Sequence, residues 1–245
     1  MISERPWFGW MLFFFTIALV FLLGLLASSI IERRAEASFA YTPDVEYGQY
    51  EPRNKIWGKN FPREYQSYLN TADTSFRSKY NGSQMIDMLS ISPRMVVLWA
   101  GYGFSKDYTQ ARGHYYAIND IRETLRTGAP IGEKESPMPN TCWTCKSPDV
   151  PRLMSEIGTA EFYDGTWEEK GHQIVNPIGC ADCHDAETMN LRITRPALIE
   201  AFENTGRNIE EVSHQEMRSL VCAQCHVEYY FNNEIVEGVP YLKFP

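Results

Sequence analysis

The chain begins with an unbroken apolar run. From Pro6 to Ile31, 26 consecutive residues carry no charge, and Leu, Phe, Ile and Val dominate them. As a helix rising 1.5 Å per residue this run is about 39 Å long, more than a hydrocarbon core of about 30 Å. Cleaved signal peptides have a shorter apolar region of roughly 7–15 residues, so residues 1–34 read as an uncleaved signal anchor or transmembrane helix. The competing reading is a signal peptide cut after Ala35-Glu36-Ala37, beyond the charged Glu32-Arg33-Arg34. Both readings export residues 35–245. A core helix of a cytosolic protein is the weaker alternative for so extreme an N-terminal position.

Beyond the apolar run the patterning is mixed. Ala35 to about Pro62 is polar, aromatic and punctuated by Pro and Gly, which predicts an extended lead-in. Pro62-Arg63-Glu64-Tyr65 opens a short helix with Tyr65, Tyr68 and Leu69 on one face. Met95-Val96-Val97-Leu98-Trp99-Ala100 reads equally as a strand or a buried helix. Asp107 to Thr127 reads as a helix stopped by Gly128, with His114, Ile118, Ile121 and Leu125 along one stripe. Another helix runs from Pro196 through Phe202 and stops at Gly206. Ser213-His214-Gln215-Glu216 is a capping box, so a helix starts there and carries Cys222 and Cys225 near its end. No alternating strand pattern is evident. The fold class is mainly α with long loops.

Composition narrows the function. With 44% hydrophobic residues in 245, the chain can bury a core, so intrinsic disorder is excluded. Its net charge of −8 has the wrong sign for a phosphate-backbone binder, and no basic run interrupts that balance. Nucleic acid is therefore set aside as a partner.

All six cysteines fall into C-x-x-C pairs, Cys142/Cys145, Cys180/Cys183 and Cys222/Cys225, leaving none for a disulfide framework. Two of the pairs continue into His184 and His226, and C-x-x-C-H is the attachment sequence of c-type haem. Two thiols about one helical turn apart add to the two vinyl groups, and the adjacent imidazole reaches the iron. A four-cysteine zinc site is the first alternative, but three pairs do not divide into fours and zinc does not require the histidine. A thioredoxin-like redox site is the second, but a loop and no buried strand precedes Cys142. Many loops are expected where haems fill the interior.

The five histidines are His114, His172, His184, His214 and His226. A low-spin haem takes a second strong axial ligand, and His114, on its apolar stripe, is the best placed of the three outside the motifs. A hydrogen-bonded core histidine is the competing reading. His172 and His214 read as ordinary polar residues. The first cysteine pair is followed by Lys146, whose ammonium must lose a proton before it can ligate iron; a solvated surface lysine is the bland alternative. An odd proximal ligand suggests a haem for reaction, whereas histidine haems suit relay.

C-W-T-C-K, two C-x-x-C-H motifs and Val227-Glu228-Tyr229-Tyr230 together resemble ammonia-forming cytochrome c nitrite reductases. Tyr80-Asn81-Gly82-Ser83, Gly113-His114-Tyr115-Tyr116-Ala117 and Arg126 extend the resemblance over roughly residues 41–245. It implies a periplasmic multihaem cytochrome c that reduces nitrite to ammonium with six electrons and eight protons. By motif position, it makes Lys146 the proximal ligand of the active haem on Cys142 and Cys145. Cys180, Cys183 and His184 hold a second haem, and Cys222, Cys225 and His226 a third. His114 becomes the other axial ligand of the third haem. Arg126 becomes a distal cation, Tyr229 the distal tyrosine, and Glu228 and the Tyr229 carbonyl calcium ligands.

The same resemblance implies a quinol-oxidising multihaem cytochrome as electron donor, a homodimer, and anchoring to the inner membrane through the N-terminal helix. Five haems are expected of the complete protein and three attachment sites lie in this sequence. The remaining C-x-x-C-H motifs, a distal histidine and the dimerising helices would lie downstream of Pro245, so the sequence reads as the N-terminal half. The alternative function is a non-catalytic periplasmic electron carrier, which has no use for Lys146, Arg126 or Glu228-Tyr229, or an inactive truncated form of the reductase.

Overall fold

The computed structural model describes residues 6–37, 44–77, 84–102, 105–124, 138–227, 229–236 and 239–244. Two units are separable, residues 1–43 and 44–245. The first is one helix, α1 (Pro6–Ala37). Its span Trp7–Arg34 is long and apolar enough to cross a membrane and has no buried residues in its apolar window. Its apolar residues are spread over every side of the helix, a pattern compatible with a membrane anchor or a signal sequence.

The second unit is mostly helical. The lead-in holds a helix not expected from its sequence, α2 (Asn54–Asn60), followed by α3 (Pro62–Asn70). Sparse apolar spacing hides α2; tertiary burial makes it, because Trp57 is fully buried, stacks near Tyr47 and donates its indole N–H to the Glu51 carbonyl at 2.8 Å. Helix α3 starts with Pro62 in its first turn as expected, where a missing N–H costs nothing.

The long helix expected over 107–127 is not observed as such. Strands β1 (Ile86–Asp87) and β2 (Thr109–Gln110) pair antiparallel, and α4 (Met88–Ile91) and α5 (Met95–Leu98) lie between them. Helix α5 decides the ambiguous run in favour of helix, yet leaves Val97 and Leu98 largely exposed. Gly113 has φ of 95°, a left-handed conformation that no helix continues through, so His114–Tyr116 forms a 3-10 turn and α6 spans only Ala117–Glu123. His114 therefore precedes the helix whose Ile118 and Ile121 enter the core, and Leu125 lies outside the described residues. Asp120 of α6 holds both the backbone N–H and the guanidinium of Arg112.

The core is formed mainly by α7 (Asp149–Ile157), α8 (Thr159–Tyr163), α9 (Trp167–Gly171) and α11 (Pro196–Asn204) with α6. Val150, Leu153, Phe162, Trp167, Ala197 and Leu198 meet there around Trp143. Between α9 and α11 lies the single turn α10 (Cys180–Cys183). Helix α11 ends before Gly206, as expected. Helix α12 (His214–Ala223) is capped by the Ser213 hydroxyl, which accepts from the Glu216 N–H at 3.2 Å.

A β-hairpin that the sequence pattern did not disclose closes the unit: β3 (Tyr230–Val236) pairs antiparallel with β4 (Val239–Lys243). Polar Asn232-Asn233-Glu234 interrupts its apolar positions, and the register shifts between Phe231 and Ile235 at that interruption. Lys243 pairs with Glu200 of α11 and Phe244 is buried, so the hairpin end packs on the core.

Candidate haem-binding site

The Cys142–Lys146 turn stands on tryptophan. Asn140–Trp143 is a 3-10 turn, and the Lys146 N–H donates to the Trp143 carbonyl at 2.9 Å, continuing the winding to Lys146. The Trp143 ring stacks on Trp167 with centroids 3.4 Å apart and planes 7° apart, and its N–H donates to the Trp167 carbonyl. A bridge between Pro139 and Thr166 and the Asn140 amide on the Asp164 carbonyl fix the approach.

The second turn is capped from two sides. The Asp182 carboxylate accepts the Gly179 N–H at 2.8 Å, and the Asn54 side-chain oxygen accepts the Cys180 N–H at 3.0 Å. A Cβ at Gly179 would stand 1.8 Å from that Asn54 oxygen, so a larger residue there would displace the Asn54 side chain from the Cys180 N–H. His184 Nδ1 lies 2.9 Å from the Met189 carbonyl. A carbonyl only accepts, so Nδ1 carries the proton and Nε2 keeps its lone pair for a metal. Met189 achieves this with φ of 59°, in a loop that Asp185 ties by accepting the Glu187 and Thr188 N–H groups. A cleft of about 670 Å³, lined by Arg53, Lys55, Lys59, Tyr68 and Tyr115 among others, reaches Asn176 and Pro177 just before this turn.

At the third turn, the N–H groups of Cys225 and His226 both donate to the Cys222 carbonyl. The His114 and His226 ring centroids lie 6.2 Å apart with the planes tilted by 35°. A metal–imidazole bond is about 2 Å and the nitrogen sits about 1.1 Å from its ring centre, so two imidazoles on one metal have centres about 6.2 Å apart. The spacing fits one iron between the rings. Burial, then the charges of His226 and Lys146, lower the His114 pKa against the opposing pull of Asp182, which favours the neutral ring that ligates.

None of the six cysteines is in a disulfide, and the first and third turns meet. Cys145 and Cys225, from the first and third turns, share a hydrogen bond; that contact, helped by Arg195 and Lys146, lowers Cys145 to about 7 while Cys225 is raised. Burial raises Cys180 to about 11 and Cys183 to about 12, with Asp182 adding to both. These values govern the thiols before haem is attached, because a thioether sulfur carries no proton. Among the described residues, no three His, Cys, Asp or Glu side chains gather as a metal-binding cluster. The donor set fits haem: paired thiols one turn apart, an imidazole with its outer nitrogen free, and a second imidazole at metal-sandwich distance.

Other expected residues are less defined. Arg126 and Glu228 lie outside the described residues, as do Tyr80-Asn81-Gly82-Ser83. Tyr229 is described and 52% exposed. His172 and His214 sit exposed at the end of α9 and the start of α12. Sequence reading overlooked Arg195, Asp182, Gln224, Asn54 and Met189. Asp182 and Gln224 occupy the variable positions inside C-x-x-C, which the motif leaves unspecified, and nothing local marks the other three.

Comparison with known proteins gives this arrangement a family. Residues 53–245 match the cytochrome c552 family profile. This chain belongs to the cytochrome c552 family. Proteins named cytochrome c-552 from Parabacteroides distasonis and Desulfotalea psychrophila are 56% and 51% identical, over 98% and 85% of this chain. The chain spans about half the length of the curated relatives it matches, 48% of the first and 40% of the second. Among solved structures, the catalytic subunit of cytochrome c nitrite reductase from Desulfovibrio desulfuricans, which has two calcium sites, superposes with a TM-score of 0.73 at 30% identity. The match covers 82% of this chain and 45% of that one. The cytochrome c552 chain described here thus shares the mostly helical multihaem fold.

Proposed function

We propose that this chain supplies the lysine-bearing active haem and two histidine-bearing relay haems of an ammonia-forming nitrite reductase. The observation that carries the reading is Lys146: in a member of this family, an amine stands where the two sister turns have an imidazole. When bound, the haem iron supplies a Lewis acid and a route for the six electrons that convert nitrite to ammonium.

The chain's own residues do the rest. Lys146 presents its Nζ lone pair after losing a proton from a group whose reference pKa is about 10.4, and a nearby metal charge offsets that cost. Arg126 offers the nitrite anion a planar, charged fork of donors. Tyr229 holds a proton where oxygen departs as water. The Glu228 carboxylate and the Tyr229 carbonyl are hard oxygen ligands of the kind calcium takes, and the ion adds positive potential. His114 and His226 would hold the third haem, and His184 the second. Helix α1 keeps the exported domain at the periplasmic face of the inner membrane, within reach of a quinol-oxidising multihaem donor. The complete protein carries five haems as a homodimer.

The test is Lys146→His in the full-length holoprotein. The expected result is an altered ferric spectrum at one haem and nitrite reduction slowed by about tenfold or more. An unchanged spectrum with an unchanged rate removes the catalytic reading and leaves an electron carrier.

A further inference from the structure

The three cysteine turns meet around one buried guanidinium that no haem motif includes. Arg195 is fully buried just before α11. Its Nε donates to the Thr144 carbonyl at 2.7 Å, and one terminal nitrogen donates to the Ser147 carbonyl at 3.1 Å and to Asp182 Oδ1 at 2.5 Å. The other terminal nitrogen donates to the Thr194 hydroxyl. The first two acceptors flank Lys146, and the third is the residue inside the Cys180–Cys183 turn. From the third turn, the Gln224 amide donates to the Asp182 carbonyl at 2.9 Å and accepts the Thr194 N–H at 2.8 Å. Arg195, Asp182 and Gln224 are each at most 2% exposed. Burial alone would lower the Arg195 pKa, but the Asp182 charge outweighs it, so the cation stays charged.

An unbranched surface lysine has no use for such bracing, and a hydrophobic core would be the simpler way to join three turns, since buried ion pairs are often replaceable by apolar residues without loss of stability. What the planar fork provides is direction: it reaches two carbonyls and a carboxylate at once, which a point charge cannot do. We propose that Arg195, braced by Asp182 and Gln224, is the positioning residue that aims Lys146 by holding the carbonyls on either side of it in register with the two histidine turns. The inference rests on Lys146 being a haem ligand.

The test is Arg195→Lys in the full-length holoprotein, read by electron paramagnetic resonance of the ferric haems beside wild type and Lys146→His. The charge remains but the fork is lost. The expected result is a shift in the signature of the lysine haem that exceeds any shift at the histidine haems, with turnover lowered by about tenfold. A wild-type signature at the lysine haem overturns the proposal. If Arg195→Lys does not accumulate, the double variant Arg195→Met with Asp182→Asn decides by the same readout: the buried charges go together, and Asp182→Asn keeps an oxygen for the Gly179 N–H. A change in Lys146→His without one in the Arg195 variants means that this inference alone fails. No change in either means that Lys146 does not ligate and the proposed function fails with it.

Discussion

At the turn ending in His184, the side chain of the proposed ligand is itself held: one ring nitrogen donates to the Met189 carbonyl and the other keeps its lone pair. At the turn ending in Lys146, the backbone is held instead, by Trp143 stacked on Trp167 and by Arg195 on the Thr144 and Ser147 carbonyls. The difference follows from the chemistry of the two groups. An imidazole has a second nitrogen through which the fold can orient it, whereas an amine has only one. The chain that carries Lys146 is deeply set, with Trp143, Thr144 and Ser147 each at most 1% exposed.

The largest expected break in this contrast is Trp143→Ala. Removing a fully buried indole at the centre of the core costs about 3–5 kcal/mol. Denaturation of the full-length holoprotein should show that loss, and intact mass should show one haem fewer, missing from the Cys142–Cys145 turn. Retention of every haem at unchanged stability would mean that the lysine turn does not depend on its tryptophan footing.

Met189→Val probes the other turn. A β-branched residue at a φ of 59° costs about 1–3 kcal/mol, and reshaping the loop should move the signature of the His184 haem while sparing the lysine haem. Met189→Gly relieves the same backbone without disturbing the carbonyl and is expected to leave that signature in place.

Ser213→Ala is the smaller control. It removes the cap of α12 and is expected to cost about 1 kcal/mol in thermal or denaturant unfolding, with the lysine and His184 haem spectra both unchanged.

The smallest effect is a pH dependence in the lead-in that supports α2. The side-chain hydrogen bond from Arg53 holds the Glu51 pKa below its ordinary value. A carboxylate depressed in the folded state stabilises above its unfolded pKa of about 4.3, and that contribution disappears as the pH falls through the folded value. Exposure of Arg53 keeps the effect small. Stability measured at neutral pH and near pH 3 should fall slightly less in Glu51→Gln than in wild type.

Legibility followed distance along the chain. Helices α11 and α12 were readable because Pro196, Gly206 and Ser213 act on backbone within a few residues of themselves. Helix α2 was not, because its single deep anchor is Trp57, and burial of one tryptophan leaves no periodic trace. The expected helix over 107–127 failed at Gly113, where one left-handed residue outweighed an apolar stripe. The hairpin was hidden by Asn232-Asn233-Glu234, which breaks the alternation on which a strand is recognised.

The amino-acid order alone determined the apolar N-terminal helix, the three C-x-x-C turns and the lysine that distinguishes one of them, because each depends on spacing within a single stretch of chain. Which polar groups brace those turns was decided only by the tertiary structure. Arg195, Asp182, Gln224, Asn54 and the Met189 carbonyl are buried or partly buried hydrogen-bonding groups that must find partners, and any of many such groups could have served. Their partners are set by the path that brings residues 54, 144, 182, 195 and 224 to adjoining turns, as the neighbouring rings of His114 and His226 are set by where two distant turns come to lie.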